Sequence, residues 1–435
     1  MADIVTSRIF VDGEKGITAA KLNDIVASSV IQPAFYTSKP TAGTADPTDI
    51  ALILKSGAYA QVPISTLGGS ATQAQIWSTR LRSFNSVGNC TFECDQRNAG
   101  ALVASPVSGG FLVDRMGLTK VGTMVISSKQ TVATVPLPGT SFNITNNVLT
   151  LTLTTQEASL GAGDLWCINQ FIEGPLLREI QGDVSSLSLL VASTVVGLKF
   201  SVALRDPGSS SKSLTKLCTI PATGWQLIQL PNLPVFPSGN FSLVPGNPGY
   251  LLSITLACGT TFTAPAADTW QNGNFVAAPG MDNFASKPVN SVFQIAFIQH
   301  EPGAVCSTLM DKPFTQNYDE CLRYYCKSYP YATKAGTPSI EGYETFVTPL
   351  GTATNVARGS TKFPKPMAKG PTATMYTYDG TANGVSVISN AQVVSNFGVN
   401  SVASTERGIG SVVLAGNTGT NIFAAIGHYA ADSGW

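Results

Sequence analysis

Side chains that move protons near neutral pH are scarce here: the chain has two histidines in 435 residues, and charged residues make up 12% of it. General acid–base chemistry therefore starts from a thin stock. An excess of either charge sign is also missing, with 26 Lys+Arg against 26 Asp+Glu. No basic field exists to draw nucleic acid or an anionic membrane onto the protein, so no nucleic-acid partner is expected. A surface of zero net charge associates readily, which favours an assembled state. No apolar run reaches the roughly 20 residues of a membrane span, and the first residues, MADIVTSRIFVDGEKG, lack the basic start and apolar core of a secretory signal. The expectation is a chain made in cytoplasm without membrane insertion.

Eight cysteines stand at 90, 94, 167, 218, 258, 306, 321 and 326, with no CxxC among them. Thiols are the reading for a reducing compartment. Cys90/Cys94 and Cys321/Cys326 each offer two sulfurs, but neither pair has a nearby His or second close pair to complete a tetrahedral set, so no metal is expected. No Walker-type loop and no GxGxxG after a strand occurs, which disfavours a nucleotide cofactor. His300 and His428 lie in no nucleophile-elbow or zincin pattern. The carboxylate pairs Glu93/Asp95 and Glu341/Glu344 have a sequence spacing that is silent on the separation glycoside cleavage requires. No catalytic residue, metal or cofactor is assigned, and the expectation is a protein that is not an enzyme.

What fills the chain is strand. Leu149/Leu151/Leu153 and Leu198/Phe200/Val202/Leu204 fall at every second position, which predicts strands with one dry and one wet face. Further strands are expected over 165–173, 186–192, 225–230, 251–257 and 293–298, separated by turn formers, and this spacing calls for a two-layer β-sandwich. Trp166 and Trp225 sit within these patterns and read as core. Tyr318, Leu322 and Tyr325 at i, i+4, i+7 predict a short helix that closes the domain. Short strands then recur over 385–389, 411–415 and 421–429.

Upstream, Thr18 is placed to cap a short helix over 19–26, and 50–54 with 59–64 reads as a short strand-like unit. The boundaries read as 1–70, a small adaptor or equally an ordinary small domain packed on the next; 71–110, a linker; 111–330, the sandwich; and 331–435, a smaller β-domain.

Read in order, FLVDRM (111–116), QFIEG (170–174), FSVALRD (200–206), DTWQNGN (268–274), FQIAFIQHEPGAV (293–305), KPF (312–314) and ECLRYYCKSY (320–329) form a constellation. It resembles the jelly-roll, carbohydrate-binding-module-like domain of tail fibres and other appendages of tailed bacteriophages, over about residues 108 to 435. In that family an Asp-Arg pair opens the domain, an Ile-Glu-Gly follows a strand, and an acidic-Cys-x-Arg-Tyr-Tyr helix closes it. Where the family usually has Trp after Asp-Arg, Met116 stands here. The resemblance implies a mainly β chain built on a jelly-roll β-sandwich, with a virion location, a homotrimer, other virion proteins bound through the N-terminal region, and a host-surface glycan or protein receptor.

Asp114, Arg115 and Glu173 read as scaffold, since a buried charge is costly unless paired. Sugar binding on a sandwich combines a flat aromatic with amides, because a pyranose stacks its apolar face on a ring while its hydroxyls take hydrogen bonds. Trp270 with Gln271, Asn272 and Asn274 has that chemistry on a loop; alternatively, Trp270 plugs the end of the sandwich. The expected function is host attachment by a tail fibre. The rivals are a head fibre, decoration or collar protein without a receptor role, a polysaccharide-degrading tailspike, and a cellular lectin.

Overall fold

In the computed structural model the chain divides into two units, residues 1–77 and 78–435. The structure describes residues 50–55, 58–63, 84–141, 143–208, 212–239, 241–310, 312–347, 356–389, 394–415 and 422–435. In the first unit, Ile50–Lys55 and Ala58–Pro63 pair as an antiparallel hairpin. The helix expected over 19–26 lies outside the described residues.

The second unit holds two antiparallel sheets packed face to face. One has seven strands, in the order Trp270–Gln271, Ser213–Thr219, Lys199–Arg205, Pro248–Cys258, Leu165–Glu173, Met116–Val121 and Phe111–Val113. The other has five, in the order Gln226–Leu233, Ser185–Ser193, Val292–Pro302, Asn143–Thr155 and Val125–Pro136. From Asn143 on, the chain crosses between sheets at almost every step, the winding of a jelly roll. Alternation decides which side chains face inward: Phe200, Val202 and Leu204 from one sheet meet Leu149, Leu151 and Phe293 from the other in a single core. The Phe200 and Phe293 rings meet edge to face with centroids 5.2 Å apart. Each such side chain, fully buried, contributes about 1.5–3 kcal/mol of transfer free energy.

The wet face expected for the strand at 199–205 is not wet. Ser201, Ala203 and Arg205 are buried as well, because the segment after Cys258 folds back over part of the sheet's outer surface. Ala278 N donates to Ser201 Oγ at 2.8 Å, and Val276 and Ala277 pack on Leu165 and Cys167.

The stretch expected as a linker is, from residue 84 on, part of the sandwich. Val87, Cys90 and Phe92 are fully buried in the core, Ser86 N donates to His300 O and Ile298 N to Cys90 O. The closing helix spans Phe314–Leu322, turning Asn317, Cys321 and Leu322 inward. Tyr325, expected on it, begins the strand Tyr325–Lys327 instead.

A third sheet follows around a separate core that includes Phe346, Val385, Val387, Val412, Leu414 and Tyr429. Six strands, Ile422–Asp432, Glu344–Val347, Val356–Lys362, Gly408–Leu414, Val394–Thr405 and Gly384–Ser389, pair in a circle that returns to the first. The ring closes on Ala424–Ile426, which pairs with Thr345–Val347 on one side and Ser386–Ile388 on the other. The same strand continues to Asp432 and there pairs with Thr372–Tyr376 and Tyr325–Lys327.

Candidate functional site

Trp270 and Gln271 form the short edge strand of the seven-stranded sheet, paired with Leu214 and Ser213. The Trp270 ring packs against Phe236 at 5.3 Å and Phe241 at 5.6 Å, and its Nε1 donates to Pro234 O at 3.2 Å. It stops the end of the sandwich. Gln271 Nε2 donates to Ala266 O. Asn272 Oδ1 accepts from Lys212 Nζ at 2.6 Å, and Asn274 Oδ1 accepts from Arg205 Nη1 at 2.6 Å. The four residues are neighbours on one edge, with the two Asn side chains bound to cations and the Trp ring turned to the interior cluster.

That edge borders a more elaborate surface, the outer face of the same sheet. Register places Gly117, Asn169, Ser253 and Ala203 in one row across four strands, and Phe171, Leu251, Arg205 and Ser213 in the next. Arg205 Nε donates to Ser253 Oγ at 3.1 Å and Nη2 to Asn169 Oδ1 at 3.0 Å; Ser253 Oγ also donates to Asn169 Oδ1, at 2.7 Å. Asn169 Nδ2 in turn donates to Thr119 Oγ1 at 2.9 Å. The result is a largely buried chain of polar groups on a rigid sheet, which holds its Thr119 and Asn169 end in fixed orientation.

Beside this row lies a cleft of about 290 Å³, floored by Gly117, Asn169, Phe171 and Leu251 and walled by Phe111, Thr119 and Trp435. Gly117 leaves its part of the floor without a side chain. Phe111 and Phe171 are half-buried, Thr119 is exposed, and Trp435 packs on Phe171 at 6.4 Å. Apolar rings thus stand next to a fixed amide and a hydroxyl. Sequence reasoning missed this face, although Asn169 lies within a strand whose alternation was legible; the signal was an amide at an outward position with Arg205 and Ser253 at matching positions of other strands.

Burial lowers the Arg205 pKa from its ordinary value. Burial also pushes the Cys167 thiol up, Arg205 nearby notwithstanding, and lifts Cys258 to about 12. Both sulfurs stay neutral at physiological pH and supply no anion.

The motifs that carry the family resemblance meet elsewhere. Glu173 accepts from Arg323 Nε at 2.9 Å and Nη2 at 2.6 Å, from Tyr324 OH at 3.0 Å and from Gly246 N at 2.7 Å. Burial pushes its carboxyl up, but these donors together hold it below the usual value. Asp114 and Arg115 do not pair with each other. Asp114 accepts from Gln96 N and Nε2 and faces Arg97, whereas the Arg115 guanidinium lies 3.5 Å over the Tyr324 ring. Glu173 and Arg115 thereby fasten the sandwich to the segment that leads into the ring.

Of the groups weighed for hydrolysis, His300, His428, Asp95 and Glu344 are engaged in packing or hydrogen bonds within the fold. His300 is fully buried, with Nδ1 2.5 Å from Tyr250 OH and Nε2 3.0 Å from Ser185 Oγ, and burial lowers its pKa to about 3. His428 stacks on Tyr329 at 3.9 Å. Asp95, pushed up to about 6 chiefly by burial, caps Asn98 and Gly100, and Glu344 accepts from Thr361.

No protein-family model and no curated protein matches the chain. Solved structures do resemble it. A family 11 carbohydrate-binding module from Clostridium thermocellum, complexed with a β-1,3-1,4-mixed-linked tetrasaccharide, is 13% identical with a TM-score of 0.25, over 45% of this chain and 92% of that one. A carbohydrate-binding module, TmCBM61, complexed with β-1,4-galactotriose, is 10% identical with a TM-score of 0.24, over 51% and 99%. The enzymatically active domain of bacteriophage CBA120 tailspike protein 4 is 12% identical with a TM-score of 0.24, over 50% and 21%. With TM-scores this low, none of the three bears on what this chain does.

Proposed function

We propose that the protein is a non-hydrolytic glycan-binding module, and that it serves attachment to a host surface as part of a tailed-bacteriophage tail fibre. The observation that carries glycan binding is the cleft on the outer face of the seven-stranded sheet, where the rings of Phe111 and Phe171 adjoin an Asn169 amide locked by Thr119, Ser253 and Arg205. Rings cover the apolar face of a pyranose, and the exposed Thr119 hydroxyl, which accepts from Asn169 Nδ2, keeps its own proton to donate to a sugar oxygen. The virion setting, the homotrimer and an N-terminal docking role rest on the ordered motifs from FLVDRM to ECLRYYCKSY. Several copies would turn weak contacts into firm adhesion, with linkage geometry setting the effective concentration.

The test is binding of the purified chain to an array of bacterial surface polysaccharides, alongside Phe171→Ala and Gly117→Leu. The first removes a ring, and the second fills the cleft beside Asn169 without deleting a polar group. Both are expected to weaken binding by about tenfold or more. Full binding by both variants overturns the site, and new reducing ends in the incubated polysaccharide overturn the non-hydrolytic reading. Imaging whole particles separates a tail fibre from a head fibre, decoration or collar protein.

A further inference from the structure

Arg205 is buried to 8% exposure, yet among the described residues no carboxylate lies within ion-pairing distance of its guanidinium. Its acceptors are all neutral: Ser253 Oγ, Asn169 Oδ1 and Asn274 Oδ1. Elsewhere in this unit Arg97 reaches Asp432, Lys312 reaches Glu320 and Arg323 reaches Glu173, while the buried Lys327 ammonium donates to three carbonyls, those of Gln96, Tyr331 and Thr333. Arg115 has the face of Tyr324 instead. Lys212, the next cation along the Arg205 edge, also meets an amide, Asn272, in place of a carboxylate. A guanidinium removed from water without a counter-charge is costly, and a fold retains one readily where a ligand supplies the missing charge.

Position joins this cation to the cleft. Arg205 stands directly across from Leu251 in the sheet register, and Leu251 is part of the cleft floor. Neighbouring strands lie about 4.8 Å apart, roughly the span of one sugar ring. Arg205 lies outside the cleft lining with each guanidinium nitrogen already donating, so a charged substituent on a sugar seated over Phe171 and Leu251 would reach it by taking the place of the exposed Asn274 at Nη1.

We propose that Arg205 is the anion-recognition element of this face and that the glycan bound there carries a negatively charged substituent. This rests on the glycan-binding reading above and adds the substrate class. Carboxylate, sulfate and phosphate esters share the chemistry, and the probes distinguish them.

The experiment measures affinity of the full chain for matched pairs: polygalacturonate and its methyl ester, ι-carrageenan and agarose, and a phosphomannan before and after phosphatase. Wild type and Asn274→Asp are compared. Asn274 is exposed, and an aspartate there places a carboxylate at the Arg205 Nη1 contact, filling the anion position from within. The expected result is at least a tenfold preference for the acidic member of one pair, reduced by added salt and lost in Asn274→Asp. Without any ligand, Asn274→Asp is expected to raise the melting temperature. Equal binding of acidic and neutral members overturns the anion assignment and leaves glycan binding standing. A lower melting temperature for Asn274→Asp likewise overturns it, because a guanidinium in want of a counter-charge must gain from one. Binding to no probe removes the glycan reading and this inference together.

Discussion

Removing the Arg323 side chain tests the account of how the sandwich is joined to the rest of its unit. Glu173 is 4% exposed, and of its four donors two belong to the Arg323 guanidinium. In Arg323→Ala the carboxylate keeps Tyr324 OH and Gly246 N but loses its counter-charge while still buried. Breaking a buried pair in this way costs about 3–5 kcal/mol. The Arg323 side chain is 36% exposed, so water recovers part of this, and we expect about 2–3 kcal/mol at pH 7. Urea unfolding measures it, as a lower midpoint at unchanged slope. The pH dependence supplies a second readout. Glu173 has a folded pKa below its ordinary 4.5, so its contribution is complete above that value and is lost as pH falls through the folded pKa. Without Arg323, burial acts with less opposition and the carboxyl protonates earlier. The gap between variant and wild type should therefore shrink below pH 4.5. A gap under about 0.5 kcal/mol at pH 7, or one that persists unchanged into acid, refutes the clamp.

His300, held neutral between Tyr250 and Ser185 with a pKa near 3, opposes acid. Its contribution is present above 6.5 and is lost as pH falls through about 3, up to about 5 kcal/mol in all. Imidazole NMR shifts should show it uncharged at pH 5, and titration near 6.5 in the folded protein would sink this. Gly174→Ala should cost about 1–3 kcal/mol in thermal unfolding, because a Cβ there meets Leu243 C at 2.6 Å and Val244 N at 2.7 Å; an unchanged midpoint contradicts it. Brief alkylation of the native protein at pH 8 should label Cys306 first, since Cys258 is pushed up to about 12 and the other six thiols are buried. Peptide mapping reads the order.

The strands most legible in the sequence were those with apolar residues at every second position. The strand at 165–173 has the bounds expected of it, and that at 251–257 needed only longer ends. Met116–Val121 and Val125–Pro136 escaped notice: in the first, apolar alternation stops after Leu118, and the second is a long outer strand with few inward positions. Burial of Ser201 and Arg205 was hidden because alternation reports which residues share a face but not what folds back over it. The cleft was hidden for a related reason. Gly117, Asn169 and Leu251 lie far apart in sequence and become one floor only through register. Arg323 and Tyr324 were visible as a motif, but their grip on Glu173 required the fold.

Because Ile422–Asp432 belongs to the closed ring through Ala424–Ile426 and to the Tyr325–Lys327 strand through Ala430–Asp432, one continuous strand ties the C-terminal module to the segment just after the sandwich's closing helix. A pull along that strand loads its flanking ladders lengthwise, so several hydrogen bonds must shear at once, whereas a sideways load would peel them singly. A load along this strand is therefore shared between the ring and the three-residue ladder with Tyr325–Lys327.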